Sequence, residues 1–181
     1  MIRKGNFMEN AVLKALEDRR SVKKYQSRPL EEEKLDAILR AGIFAPTGRN
    51  LQSPVMVVVR DDETREILRR MNAEILGNPD CDPFYGAPVI VIVLADKTVP
   101  TYIEDGSLVM GNLMHAAYAL GVDSCWIHRA RQEFESEEGK ALLKKWGIEG
   151  DLAGIGHCIL GYRDCEYPAV RPRKENYIYK V

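Results

Sequence analysis

Apolar positions recur along this chain at two periods, and the switches between them mark out its elements. In ENAVLKALEDRR, Val12, Leu13 and Leu16 share one face at helical spacing, with Asn10 near the start, and the pattern stops close to Arg19. After Pro29, LEEEKLDAILRAGIFA predicts a second helix. Its glutamates crowd the first turn, where the helix dipole favours negative charge, and Leu35, Ile38, Leu39, Gly42 and Ile43 form its buried stripe. Pro46 ends it, and PTGRNLQSP is a polar loop. VMVVVR (55–60) is apolar with almost no alternation, which predicts a strand buried on both faces. DETREILRRMNAEIL is an amphipathic helix, GNPDCDPFYG a breaker-rich loop, and PVIVIVLAD a central strand. A long apolar helix rich in Ala and Gly spans about 103–120 and suits close packing against another helix. SCWI, QEFESEEGKALLKKWG and GHCILGYR then predict strand, helix and strand.

Helices and strands mix here without strict βαβ alternation, which predicts an α+β fold over a doubly wound sheet. The tail after Pro168 ends in NYIYKV, a β-prone hexapeptide with few places to pair in so small a unit. Pairing with a partner's sheet edge is one outcome for it.

At 181 residues the expectation is one domain over 1–181, burying about two-thirds of its unfolded surface. A composition of 45% hydrophobic and 29% charged residues is that of an ordinary globular chain. The net charge of −1 supplies no global field to recruit nucleic acid, so any anion site must be local. The longest apolar run, 87–95, falls far short of the ~20 residues a membrane helix needs. MIRKGNFMEN lacks the apolar run of a signal peptide, and a cytoplasmic location is expected. Cys81, Cys125, Cys158 and Cys165 show neither CxxC nor metal-ligand spacing; Cys125 and Cys158 read as buried core thiols.

Nucleotide and hydrolase motifs are missing. GIGHCI at 154 lacks the third glycine of a dinucleotide fingerprint and is read as preceding a strand where the fingerprint would follow one. EEGKA lacks the earlier glycine of a P-loop, and neither HExxH nor GxSxG occurs. His115, His128 and His157 are scattered, with no carboxylate spacing. What stands out is basic. RRSVKKY (19–25) packs four cations around Ser21, and RPRK (171–174) adds a second cluster far along the chain. Such runs are often solvated faces. Their alternative is a phosphate cradle, because the planar guanidinium fork makes bidentate, charge-assisted bonds.

Five stretches in order decide between these readings by resemblance. RRSVKKY, APTGRNLQ (45–52), GAPVIVIVLAD (86–96), EDGSLVMGNLMHAAYALGVDSCWI (104–127) and RPR (171–173) together resemble the FMN-dependent nitroreductase family over nearly the whole chain. That resemblance implies an α+β homodimer with a central, mainly antiparallel sheet flanked by helices, FMN in clefts between subunits, and the tail 167–181 exchanged onto the partner. It implies that Arg19, Arg20, Ser21, Arg171 and Arg173 hold the FMN phosphate, with Lys23 at the pyrimidine edge of the ring. Pro46, Thr47, Asn50 and Gln52 would line the same cleft from the partner subunit, and Ile127, His128 and Arg129 would lie beneath the ring. Catalytic chemistry would be borne by the flavin, with no protein nucleophile and no metal. The implied activity is ping-pong reduction of a small acceptor, such as a nitroaromatic or quinone, by NADH or NADPH.

Departures from the family bear on the substrate. QSPV follows the loop where an aromatic is common, and His128 and Arg129 replace small residues. Phe84, Tyr85 and Tyr102 are candidates for stacking on an acceptor, or core aromatics. Other readings stay open: a reductive dehalogenase-like or flavin-degrading relative, a non-catalytic FMN-binding or storage protein, and a dimeric interaction protein with solvated basic clusters.

Overall fold

The computed structural model describes residues 10–181; residues 1–9, which carry most of the stretch in which no signal peptide is read, lie outside them. Helix α1 (Ala11–Asp18) starts where the Asn10 side chain accepts from the Val12 and Leu13 amides at 2.9 and 3.2 Å. Helix α2 (Glu32–Ile43) ends three residues before Pro46, and a 3-10 turn at Gly48–Asn50 leads into β1 (Pro54–Val59). Helix α3 (Asp62–Leu76) is capped by Asp61, which accepts from the Thr64 amide at 2.8 Å, and is closed by a left-handed Gly77. Then follow β2 (Val89–Asp96), α4 (Tyr102–Ala119), β3 (Asp123–Ile127), α5 (Ala130–Glu135), α6 (Glu137–Lys145) and β4 (Leu152–Gly161).

The strands form one sheet in the order β1-β2-β4-β3, every neighbouring pair antiparallel. This is the α+β arrangement the mixed pattern predicts. Strands β2 and β4 are central and nearly continuous in apolar residues because helices cover both their faces. On one side, odd-numbered β2 residues such as Val91 and Val93 meet Leu35 and Ile38 of α2 and Leu113 of α4; on the other, Ile90, Ile92 and Leu94 share a core with α3, α5 and α6.

Three local expectations are corrected. VMVVVR is not buried on both faces: β1 is an edge strand with only β2 beside it, and Val55 and Val58 are exposed. QEFESEEGKALLKKWG forms two helices, because Ser136 turns extended, donates to the Glu133 carbonyl and caps α6 through the Gly139 amide. GIGHCI lies within β4 and not ahead of a strand. NYIYKV, by contrast, is exposed and pairs with no strand of its own chain, which leaves a partner's sheet edge open to it.

Strand β4 carries an extra residue, Ile155, opposite the Val93–Leu94 step. Beside it, Gly154 lies so close to α5 that a Cβ there would stand 2.2 Å from the Ala130 carbonyl oxygen. The start of α5, and with it residues 127–130, is thereby seated directly on the sheet. Among the described residues no helix is long and apolar enough to cross a membrane, and no group of His, Cys, Asp and Glu is placed to hold a metal ion.

Candidate functional site

The RRSVKKY segment leaves α1 and runs alongside the start of β3. Ser21 bridges Ser124 in parallel, and the Val22 amide donates to the Ser124 carbonyl at 3.1 Å. Val22 and Tyr25 are buried, which pins the segment and leaves Ser21 and Lys23 outward. Arg20 Nη1 donates to the carbonyls of Glu17 and Arg19, at 2.6 and 2.7 Å. Its Nε and Nη2, together with Arg19 Nη1, are buried without a hydrogen-bond partner among the described residues. Below them lies Cys125. Burial pushes its thiol up, while Ser21 and the positive charges of Lys23 and Arg19 near this spot pull it down.

The tail begins at this spot. The Tyr167 hydroxyl accepts from the Arg20 amide at 2.9 Å and donates to the Asp18 carbonyl at 3.1 Å. Arg171 and Arg173 themselves lie exposed, and among the described residues no hydrogen bond or ion pair joins them to Arg19 or Arg20. The structure thus brings the root of the tail to the first cluster without closing the second cluster on it. Lys23 Nζ stands 5.8 Å from the Tyr85 ring centroid, and Tyr85 is held at a left-handed φ of 55°. Of the other aromatic candidates, Phe84 is core, edge-on to His157 at 5.2 Å between centroids, and Tyr102 is half-buried against the α2–α4 core.

Pro46, Thr47, Asn50 and Gln52 line a separate groove of about 450 Å³ with Phe44 and Met56. Residues 19–23 are not among its walls. Around it Ile43, Phe44, Leu51 and Leu108 are exposed, an apolar rim for an otherwise polar loop.

Ile127 is buried at the end of β3, His128 is exposed, and Arg129 is half-buried with φ 80°. Sequence reasoning missed what holds this corner. The Asn72 side chain, fully buried on α3, donates to the His128 carbonyl at 2.9 Å and to Glu133 Oε1, and its oxygen accepts from Arg129 Nε at 2.9 Å. Glu133 Oε2 lies 2.9 Å from His157 Nε2, both side chains fully buried. The imidazole and carboxylate are poorly aligned, so this is a close polar contact and not a directed hydrogen bond. The scattered histidines therefore do include one with a carboxylate, supplied across the fold and not by local spacing. A polar asparagine in the buried stretch of α3 was the only sequence signal.

A four-stranded antiparallel sheet, an unsatisfied guanidinium pair at a helix end and a polar loop under an apolar rim define a class that comparison identifies. The nitroreductase family model matches residues 16–162, and this chain belongs to that family. A relative in Archaeoglobus fulgidus, bearing the provisional name NADH dehydrogenase/NAD(P)H nitroreductase, is 31% identical over 160 residues, 83% of this chain and 84% of that protein. A nitroreductase of Bacteroides fragilis, solved with bound FMN, superposes with a TM-score of 0.83 at 27% identity, covering 96% of this chain and all of that one. A nitroreductase of Desulfitobacterium hafniense shares the fold at a TM-score of 0.85 and 24% identity, over 96% of this chain and 100% of its own.

Proposed function

We propose that this chain is an FMN-dependent oxidoreductase which uses NADH or NADPH to reduce a small acceptor, such as a nitroaromatic or a quinone, in a ping-pong cycle. The observation that carries the reading is the set of guanidinium nitrogens on Arg19 and Arg20 that are buried and unpaired. A buried cationic N–H without an acceptor is strongly disfavoured, and a phosphomonoester offers the acceptors that these groups and the Ser21 hydroxyl require. The bound FMN of the Bacteroides fragilis relative carries such a group. FMN supplies the ring that takes and gives the hydride.

The chain's residues divide the remaining work. Arg19, Arg20 and Ser21 bind the phosphate, and Arg171 and Arg173 close over it from a tail rooted at Tyr167. Lys23 brings positive charge to the ring edge, which favours the anionic reduced form. Asn72 fixes the His128 carbonyl and the Arg129 side chain at the corner below the ring. Pro46, Thr47, Asn50 and Gln52 reach the cleft from a second copy. The exposed apolar rim of their groove supports a homodimer of 1–181 domains, in which the 167–181 tail, rooted on its own chain at Tyr167, runs on to pack against the partner.

The test is reconstitution with excess FMN, desalting, and anaerobic mixing with NADH or NADPH. Flavin bands that stay with the protein and bleach within seconds are expected. Retained bands that do not bleach would favour a flavin carrier, and loss of the flavin on desalting would overturn the reading. Arg19→Ala with Arg20→Ala should weaken FMN binding at least a hundredfold, since charge-assisted bonds contribute about 1.5–3 kcal/mol each.

A further inference from the structure

Asp105 is 2% exposed in the first turn of α4 and belongs to none of the groups named so far. Its carboxylate receives three donors: the Gly48 amide at 2.8 Å on Oδ1, and on Oδ2 the Ser53 hydroxyl at 2.8 Å and the Thr101 hydroxyl at 3.2 Å. Gly48 and Ser53 are the two ends of the loop that carries Asn50 and Gln52. Between those ends the backbone is left-handed at Arg49, Asn50 and Gln52, with φ of 52, 56 and 51°. Non-glycine residues persist in that region only where their surroundings over-determine them.

The loop supplies part of that determination itself. Within it, the Asn50 and Leu51 amides donate to the Thr47 and Gly48 carbonyls at 3.1 and 3.0 Å, the Gln52 amide donates to Thr47 Oγ1 at 3.1 Å, and Gln52 Nε2 reaches Asn50 Oδ1 only at 3.4 Å. These bonds shape the turn but do not place it on the fold. Its start is pressed onto the N-terminal end of α4, where a Cβ on Gly48 would lie 2.3 Å from Thr101 Oγ1. A carboxylate suits the junction because every neighbour is a donor. An asparagine would offer one acceptor oxygen and turn its amide N–H₂ toward a second donor.

We propose that Asp105 is the positioning residue of the cleft loop, fixing Gly48 and Ser53 so that Asn50 and Gln52 keep the left-handed backbone with which they line the groove. The clamp is a property of this chain alone. Its effect on cofactor binding rests on the FMN reading above.

Two readouts on the full chain separate these. The first is the rate of trypsin cleavage after Arg49, identified by mass, because a clamped left-handed loop must open before a protease can take it as an extended strand. The second is the FMN dissociation constant from quenching of flavin fluorescence. Asp105→Asn and Asp105→Ala should each raise Arg49 cleavage about tenfold or more and weaken FMN binding about tenfold. Ser53→Ala should move both in the same direction by about two- to fivefold, and it serves should the Asp105 variants fail to fold. Asp61→Ala, which uncaps α3, controls for general loss of stability and should leave Arg49 protected.

A folded Asp105→Asn protein with unchanged Arg49 cleavage would overturn the clamp. Faster cleavage with full FMN affinity would overturn its role in the cleft. Faster cleavage in a chain whose wild type binds no FMN would leave the clamp standing and defeat the flavin reading instead.

Discussion

On one face of the sheet Val91 and Val93 meet Leu35, Ile38 and Leu113; on the other, Ile92 and Leu94 share their layer with His157, Glu133 and Asn72. The first contact is non-directional, and its strength follows the area removed from water. The second is directional, because each buried polar group must find a partner or destabilise the fold. The second runs on to the end of β3: from Glu133 through Asn72 to the His128 carbonyl and the Arg129 guanidinium. The apolar layer thus supports the sheet, and the polar layer fixes the geometry of residues 128 and 129.

That contrast can be broken from either side. The largest effect is expected for Glu133→Ala, which strands His157 and Asn72 and should lower unfolding free energy in urea by about 3–5 kcal/mol. Glu133→Met combined with His157→Leu should recover most of that loss, since a matched apolar pair often equals a buried polar one. If the double variant is no better than the single, the layer is held by packing and not by polar pairing. Leu113→Ala, on the opposite face, should cost about 2–5 kcal/mol while leaving FMN affinity unchanged. Gly154→Ala should cost about 1–3 kcal/mol through its collision with the Ala130 carbonyl. Unlike Leu113→Ala, it should alter FMN affinity as α5 is displaced. The smallest effect belongs to the surface. The Tyr162 hydroxyl, with local backbone and the cations Arg28 and Lys34, holds the exposed Glu31 carboxyl down to about 2. Its contribution to stability is therefore complete above its ordinary value near 4.5 and is lost as pH falls from there toward 2. Glu31→Gln should flatten the pH dependence of the unfolding midpoint across that window, lowering it slightly at neutral pH and leaving it unchanged near pH 2.

Legibility in the sequence followed the range of the forces. Asn10 as a cap, the stripe on α2, the buried strand β2 and the breaker loop before it are written in residues a few places apart, and the structure has them there. The strand VMVVVR was legible as a strand but not as an edge, because which strand lies outermost is decided by β2 and β4 closing on each other. Ser136 was passed over because its neighbours on either side are good helix formers. At the site, RRSVKKY and the 45–52 loop showed themselves by composition and by resemblance. Asn72, Glu133 and His157 did not, since Asn72 and Glu133 lie 61 residues apart and meet only when α3 and α5 pack. Asp105 was hidden in the same way, inside a helix whose apolar pattern drew attention elsewhere.

The two hydrogen bonds of Tyr167 have a kinetic meaning. They fix the point from which the last fourteen residues depart, and only three residues separate that point from Arg171. A tether of that length keeps the Cα of Arg171 within about 14 Å of the Cα of Tyr167, and so its guanidinium in the neighbourhood of the Asp18–Arg20 corner. Its local concentration there is in the millimolar range or above, whatever the amount of protein in solution. An anion arriving at Arg19 and Arg20 would meet the next cation without a second diffusional search. Lengthening the tether with glycine and serine should slow that capture and speed the anion's escape, with no contact in the cradle altered.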